Sequence, residues 1–199
     1  MEWNLNIILF QAALLAVQGM TYLLVQRTKR PIHVMERQVD QRIPLVPQFI
    51  FAYVLWYPLI AVFPVMLYHF CTAGEVVYQS YIISIVADIV LSLLIYWFYP
   101  TSFKRPEIEG NGLSRNLLRS VYVLDYKGLN CMPSMHCSQC FIILYYSLAS
   151  TGLGLWQYGF VALALLITLS TVFTKQHVLI DVAAAIPLAV ICIVTGNFI

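Results

Sequence analysis

Two short polar segments interrupt an otherwise apolar sequence, and each of them contains a histidine. The first is Pro133-Ser134-Met135-His136, and the second spans residues 174–177 with Asp181 following four residues after His177. An imidazole can transfer protons near neutral pH, and it can also act as a nucleophile. The spacing of His177 and Asp181 puts both on one face of a helix, where the carboxylate would hold the imidazole in one tautomer. A structural His–Asp pair at a helix end is the alternative.

The first segment has the composition of a helix start. Pro133 suits the first turn of a helix, so Ser134 and the amide groups that follow it would offer hydrogen bonds to an anion. His136 could then donate a proton to a leaving group bound there. The simpler interpretation is that Ser134 only caps the helix and that His136 lies at the level of the lipid headgroups.

Cations lie close to both segments along the chain. Lys104 and Arg105 precede Pro106, and Lys175 is two residues before His177. An arginine can grip a phosphate through two parallel hydrogen bonds, whereas a lysine supplies a point charge. Each of these cations could equally anchor a helix end at the membrane surface. Together with the histidines they indicate phosphoryl transfer through histidine, without a metal or another cofactor.

The elements that must position these residues are membrane helices. Hydrophobic residues make up 61% of the 199 residues and charged residues 10%, and the mean hydropathy is +0.80, which excludes a soluble domain. Helices satisfy their own backbone hydrogen bonds in lipid, and the apolar runs are too long for barrel strands. The sequence therefore predicts an all-α fold, a single membrane domain over residues 1–199 built as a bundle of six transmembrane helices. The predicted spans are 5–25, 48–70, 76–100, 136–151, 156–174 and 178–198.

Six spans place three polar clusters on the same side of the membrane: residues 101–109, 130–137 and 174–181. The three loops on that side, which join spans one and two, three and four, and five and six, hold all eleven basic residues, and this count favours a cytoplasmic side. The basic residues are Arg27, Lys29, Arg30, Arg37, Arg42, Lys104, Arg105, Arg115, Arg119, Lys127 and Lys175. Because phosphate-binding cations would bias the same count, it does not decide the orientation alone.

The cysteines and the net charge exclude other kinds of site. Cys137 and Cys140 form one C-x-x-C without further ligands at zinc spacing, so no metal site is expected. A disulfide between Cys131 and Cys137 would require an oxidising compartment. The net charge of +2 is too small to indicate nucleic acid, and lipid in the bilayer is the expected partner.

The motifs resemble those of the type 2 phosphatidic acid phosphatase superfamily, whose members are membrane lipid phosphatases and phosphotransferases. The family motifs are K-x6-R-P, P-S-G-H and S-R-x5-H-x3-D. This chain has Arg105-Pro106, then Pro133-Ser134-Met135-His136, then Ser170-Thr171 followed at the family spacing by His177 and Asp181. The resemblance covers about residues 98–185, the predicted catalytic core, and residues 40–44 also look like those of small bacterial members.

The resemblance implies a role for each site residue. His177 would form a phosphohistidine, Asp181 would orient it, and His136 would protonate the leaving alcohol. The phosphate oxygens would be held by Ser134, Arg105, Lys104 and Lys175. Family members usually place this site on the extracytoplasmic face, and we expect that orientation here although the loop charge favours the cytoplasm.

Three departures from the motifs bear on the substrate. Phe98 stands where the first motif has lysine, Met135 replaces glycine and Thr171 replaces arginine. The changes at Met135 and Thr171 are similar to the inositol phosphorylceramide synthase and sphingomyelin synthase branch, which transfers a phospho-headgroup to a lipid alcohol. A phosphodiester carries one negative charge and needs fewer cations than a monoester. Hydrolysis of a lipid or polyprenyl phosphate and headgroup transfer from a phospholipid are therefore rival expectations.

A non-catalytic channel or transporter is the alternative of a different class. Asp88 falls in the middle of the third predicted span, with Ser84 and Ser92 one helical turn to either side, and an intramembrane carboxylate is a functional candidate. The same stripe could instead hydrogen bond to neighbouring helices. Asp88, Asp125 and Asn130 are therefore candidates for headgroup contact or for packing.

Overall fold

The computed structural model describes residues 4–27, 32–125 and 128–198. Lys29, Arg30 and Lys127 of the basic loops lie outside these ranges. The described chain is mostly helical with almost no strand, which confirms the all-α prediction. The helices are α1 (Leu5–Gln26), α2 (Gln38–Arg42), α3 (Ile50–Val54), α4 (Trp56–Phe70), α5 (Gly74–Phe98), α6 (Leu113–Leu124), α7 (Met135–Ala149), α8 (Trp156–Phe173) and α9 (Leu179–Phe198). One 3-10 turn (Pro47–Phe49) precedes α3, and two short strands, β1 (His33–Val34) and β2 (Thr101–Ser102), pair in parallel.

Five helical stretches of the described chain are long and apolar enough to cross a membrane, which is consistent with an integral multi-pass membrane protein. They are Leu5–Gln26, Pro47–Phe70, Gly74–Phe98, Trp156–Phe173 and Leu179–Phe198. The fourth predicted span, residues 136–151, corresponds to α7. This helix has 15 residues, so its length of about 22 Å falls short of the roughly 30 Å of a hydrocarbon layer.

The short helix α7 lies inside the bundle. It packs against α5, α8 and α9 and also contacts α4, and its side chains Ile142 and Ile143 are fully buried in the main apolar core. Ser147, near its far end, donates a hydrogen bond to the carbonyl of Ile143 and so satisfies its hydroxyl within the helix (2.7 Å). The segment that contains His136 lies at the start of α7. Because other helices surround α7, this segment has a fixed position in the bundle.

The loops collect at two ends of the bundle. At one end the amide of Thr72 donates to the carbonyl of Thr151 (2.8 Å), which joins the α4–α5 and α7–α8 connections. At the other end the amide of Asn130 donates to the carbonyl of Thr101 (2.8 Å), and Arg105 donates to Gln176 Oε1 (2.6 Å). The predicted convergence of the three polar clusters at one end is thus confirmed.

The sequence analysis did not predict α6, which lies at this polar end. Its Leu118 is fully buried against Ile50 and Tyr53, whereas the polar residues Asn116 and Ser120 are exposed. This is the pattern of an amphipathic helix. α6 therefore packs its apolar face on α3.

Candidate active site

His177 and Asp181 meet as predicted. The Nδ1 atom of His177 lies 3.3 Å from Asp181 Oδ2, and Asp181 is fully buried. The same carboxylate oxygen accepts a hydrogen bond from the amide of Val178 (2.9 Å). Because Nδ1 faces the carboxylate, Nε2 is the nitrogen of His177 that remains for chemistry.

The predicted reason for this contact was wrong in one respect. The helix α9 begins at Leu179, so His177 precedes it and does not share a helical face with Asp181. Asp181 is the third residue of α9, and its side chain reaches back to the amide of Val178, as in half of a capping box. The loop before α9 is fixed in turn by Thr171, whose carbonyl accepts the amides of Gln176 (2.9 Å) and His177 (3.1 Å).

A second carboxylate that the sequence analysis did not single out also caps α9. Asp40 is buried, and its Oδ1 accepts the amide of Leu179 (2.9 Å) while its Oδ2 accepts that of Arg37 (2.9 Å). Aspartate at a helix N-terminus satisfies free amides and opposes the helix dipole. Its place in the weakly family-like stretch 40–44 was the only signal for it.

Ser134 is the N-cap of α7. Its hydroxyl oxygen accepts the amide of Cys137 (3.3 Å), and its own amide donates to the backbone carbonyl of Asp181 (3.1 Å). Pro133 was predicted to lie in the first turn of the helix. It instead precedes the N-cap residue. Two of the amides expected to face an anion are used within the protein, and one of them ties the two histidine segments together.

The two histidines face each other across this junction. Their ring centroids are 6.0 Å apart with the planes tilted by 55°. On its other sides the His136 ring packs against Tyr53 (4.7 Å between centroids, 30°) and Trp56 (4.3 Å, 44°). The bundle therefore holds His136 by aromatic packing and His177 by a carboxylate.

Five aromatic residues lie near the ends of the predicted spans, where such rings usually gather at the membrane interface, and two of them are in the site region. Trp56 is 5% exposed and contacts His136. Tyr96 is 1% exposed, and its hydroxyl donates to the carbonyl of Pro133 (2.6 Å). The other three are exposed, as interface residues are: Tyr57, Trp97 and Tyr99. Composition could not separate the two groups, because all five lie near a span end.

The predicted phosphate-binding cations surround one cavity. Lys104, Arg105 and Lys175 line it together with His177, and its volume is about 490 Å³. A pocket of this size is large enough for a phosphorylated headgroup. The cavity thus brings three predicted cations and one predicted catalytic imidazole to the same space.

Arg105 is already paired inside the protein. Its guanidinium forms an ion pair with the Asp125 carboxylate and donates to the carbonyl of Asp125 (2.7 Å) and to Gln176 Oε1 (2.6 Å). Its charge also lies over the Tyr122 ring at 4.7 Å. Burial alone would lower the pKa of Arg105, but the charge of Asp125 and the hydrogen bond to it raise that pKa above its ordinary value. Arg105 is therefore a charged residue with partners on several sides.

The two lysines differ in their freedom. Lys175 Nζ donates to the backbone carbonyl of Asp40 (2.7 Å), and burial lowers the pKa of Lys175, partly offset by the charges of Asp40 and Glu36. Lys104 is exposed at the cavity wall. Of the predicted phosphate ligands, Lys104 can thus reorient most easily.

The positions that depart from the motifs have different surroundings. Phe98 ends α5 with 77% of its surface exposed. Thr171 is fully buried, and its hydroxyl lies 3.5 Å from the Cys137 thiol on α7. An arginine at residue 171 would bring a long charged side chain into this helix contact. The close packing of α8 on α7 gives a physical reason for the small residue.

The three residues predicted for headgroup contact or packing are not equivalent. Asp88 is fully buried in α5 beside Ser138 and Gln139 of α7, away from the cavity lining. Asp125 pairs with Arg105 and also accepts hydrogen bonds from Tyr22 (3.0 Å) and Gln26 (2.8 Å). Asn130 is buried with a left-handed backbone (φ 58°), which asparagine tolerates well. None of the three lines the cavity.

The described cysteines are unpaired. Cys131 and Cys137 are both free thiols, as are Cys71, Cys140 and Cys192. Among residues 4–27, 32–125 and 128–198, no three His, Cys, Asp or Glu side chains come together in a group that could hold a metal ion. Activity without a metal ion stays a prediction.

No family model matches the chain, and no curated protein or solved structure is detectably similar to it. The resemblance to the lipid phosphatase motifs therefore rests on the residues themselves and on their geometry.

Proposed function

We propose that this chain is a membrane lipid phosphatase or phosphotransferase that works through a phosphohistidine on His177. The observation that carries the proposal is the cavity lined by His177 and three cations, with the His177 imidazole held at Nδ1 by Asp181. We further propose a bundle of six membrane helices, made of the five long apolar stretches and the short, central helix α7.

The reaction follows from the arrangement of the two imidazoles. Nε2 of His177 attacks phosphorus and forms a P–N bond while the P–O bond to the alcohol breaks. His136, 6.0 Å away between ring centroids, gives a proton to the departing alcohol oxygen. It then takes a proton from water or from a second alcohol, whose oxygen attacks phosphorus and breaks the P–N bond. Asp181 stabilises the positive charge on the His177 ring during these steps.

The substrate class follows from the position of the site. The cavity lies at the polar end of helices that can cross a membrane, so a lipid phosphate, a polyprenyl phosphate or a phospholipid would present its headgroup at this level. The motifs favour an extracytoplasmic site and the basic loops a cytoplasmic one, and we propose the former. Labelling an Asn111→Cys variant with an impermeant maleimide in sealed vesicles tests the side, with Cys71 at the opposite end as the internal contrast.

Headgroup transfer is the second candidate, and the pairing of Arg105 favours it. The guanidinium already neutralises Asp125, and Phe98 and Thr171 supply no charge where the family motifs have cations. Fewer free cations suit a phosphodiester with one negative charge better than a monoester with two. The channel or transporter alternative gains less support, since Ser84, Asp88 and Ser92 are all fully buried against neighbouring helices.

A panel of lipids offered to the purified protein distinguishes these activities. Free phosphate released from phosphatidic acid indicates hydrolysis. A new phospholipid formed from a diester donor and a lipid alcohol indicates transfer. If neither product appears with any lipid, while a His177→Ala variant behaves like the wild type, the proposed enzyme function is wrong.

A further inference from the structure

The indole of Trp56 contacts His136, the proposed acid catalyst. Trp56 has no role in the catalytic steps proposed above. Trp56 begins α4 and is 5% exposed, and its ring lies 4.3 Å from that of His136. Tyr53, which lies in the preceding helix α3, stacks on the same imidazole. Two aromatic side chains from consecutive helices therefore pack on His136.

Each ring of the Trp56–His136 contact holds a buried nitrogen with no hydrogen-bond partner among the described residues. Neither Trp56 Nε1 nor His136 Nε2 has a hydrogen-bond partner within the described ranges, although both atoms are shielded from solvent. A buried tryptophan N–H usually finds an acceptor, and a buried donor without one costs about 1–3 kcal/mol. These two nitrogens belong to rings in contact, and the His136 ring also faces His177, which Asp181 holds in place. We infer that a bound group completes the hydrogen bonds of both nitrogens.

We propose that Trp56 is a substrate-binding residue whose Nε1–H donates to a non-bridging phosphoryl oxygen of the substrate. This inference rests on the proposed function. A phosphorus atom under attack lies within about 3–3.5 Å of the attacking nitrogen of His177. If His136 protonates the leaving oxygen, the phosphoryl group also comes close to the His136 ring, which contacts the Trp56 indole. The phosphoryl oxygens gain charge as the reaction proceeds, so a fixed donor there stabilises the transition state.

A neutral donor at this position also fits the departures from the motifs. Phe98 and Thr171 remove two cations that would neutralise phosphate, and an indole N–H supplies a hydrogen bond without a charge. The site would then hold a phosphoryl group by neutral donors together with the cations of the cavity. Such a site is better suited to a singly charged phosphodiester than to a dianion.

Orthovanadate, which adopts the geometry of the phosphoryl transition state, is the probe for this proposal. We expect Trp56→Phe to lower kcat at least tenfold with a small change in KM, and to weaken vanadate inhibition by a similar factor. The matched control is Trp156→Phe, which makes the same change at the start of α8, where the side chain is 64% exposed. Vanadate should change the intrinsic fluorescence of the wild type and of this control, and that change should be absent in Trp56→Phe.

A second variant separates loss of the N–H from loss of packing. Benzothienylalanine at residue 56 keeps the size and shape of the indole but replaces the N–H by sulfur, so it should reproduce the kcat and vanadate defects without lowering thermal stability. If this variant and Trp56→Phe bind vanadate and turn over as the wild type does, Trp56 is not a substrate ligand although the phosphohistidine mechanism stands. If the wild type itself neither binds vanadate nor turns over any phospholipid, both proposals are wrong.

Discussion

Replacing Asp181 by asparagine removes one negative charge from the candidate site with little change in shape. The Asp181 carboxylate contacts His177 Nδ1 at 3.3 Å and accepts the Val178 amide at 2.9 Å. An asparagine oxygen can still accept one hydrogen bond, so the start of α9 should persist. The His177 ring would lose the charge that stabilises its positive form.

The size of the effect follows from the contact that is lost. A hydrogen bond to a charged group contributes about 1.5–3 kcal/mol, and each 1.36 kcal/mol of barrier corresponds to about a tenfold change in rate. Because Asp181 is fully buried, solvent does little to screen this charge. We therefore expect kcat to fall about 10- to 150-fold in Asp181→Asn, with the thermal midpoint in detergent little changed.

Asp40→Asn is the matched control for this experiment. Asp40 is also buried and accepts the amide of Leu179 at the start of α9 (2.9 Å), and among the described residues its carboxylate has no hydrogen bond with His177. Because the charge of Asp40 acts on Lys175 in the same cavity, this variant should change KM, whereas kcat reports on His177. The two variants remove the same charge from the same helix end. Turnover of a short-chain phosphatidic acid and thermal unfolding are measured for both. If kcat falls no more in Asp181→Asn than in Asp40→Asn, Asp181 does not act through His177.

Three further outcomes are expected. His136→Gln should slow release of an alkyl alcohol by about 10²–10⁴-fold but affect a nitrophenyl ester much less, because nitrophenolate leaves without a proton; equal losses on both substrates would contradict the role of His136 as acid. Asp125→Asn should lower the free energy of unfolding by about 1.5–3 kcal/mol, since it weakens the ion pair with Arg105, and an unchanged unfolding transition in detergent would show that the pair is not stabilising. EDTA should leave turnover unchanged, whereas a loss that magnesium restores would count against histidine chemistry without a metal.

The sequence predicted the helices well where a long apolar run defines them. The observed bounds of α5, α8 and α9 are within two residues of prediction, because spans in lipid need both length and low polarity. It missed α6, since a 12-residue amphipathic helix with Arg115 and Arg119 has the composition of a basic loop. It also gave α7 the status of a full span, although this helix is short and surrounded by other helices.

Motif spacing and the order of the spans predicted part of the candidate site. The spacing identified His177 and Asp181, and the order of the spans placed Arg105 near them. The partners of these residues come from distant parts of the chain, as with the stacking of Tyr53 on His136 and the capping of α9 by Asp40. Such contacts depend on how the helices pack, which local sequence does not encode.

The central claim is that His177 carries the phosphoryl group, and direct detection of the phosphoenzyme tests it best. The purified protein is mixed rapidly with phosphatidic acid or a phospholipid donor and quenched at alkaline pH, where phosphohistidine survives. Peptide mass spectrometry should then find phosphate, or the transferred phospho-headgroup, on His177 in the wild type and not in His177→Ala. A covalent adduct on another residue, or full turnover by His177→Ala, would contradict the proposed mechanism.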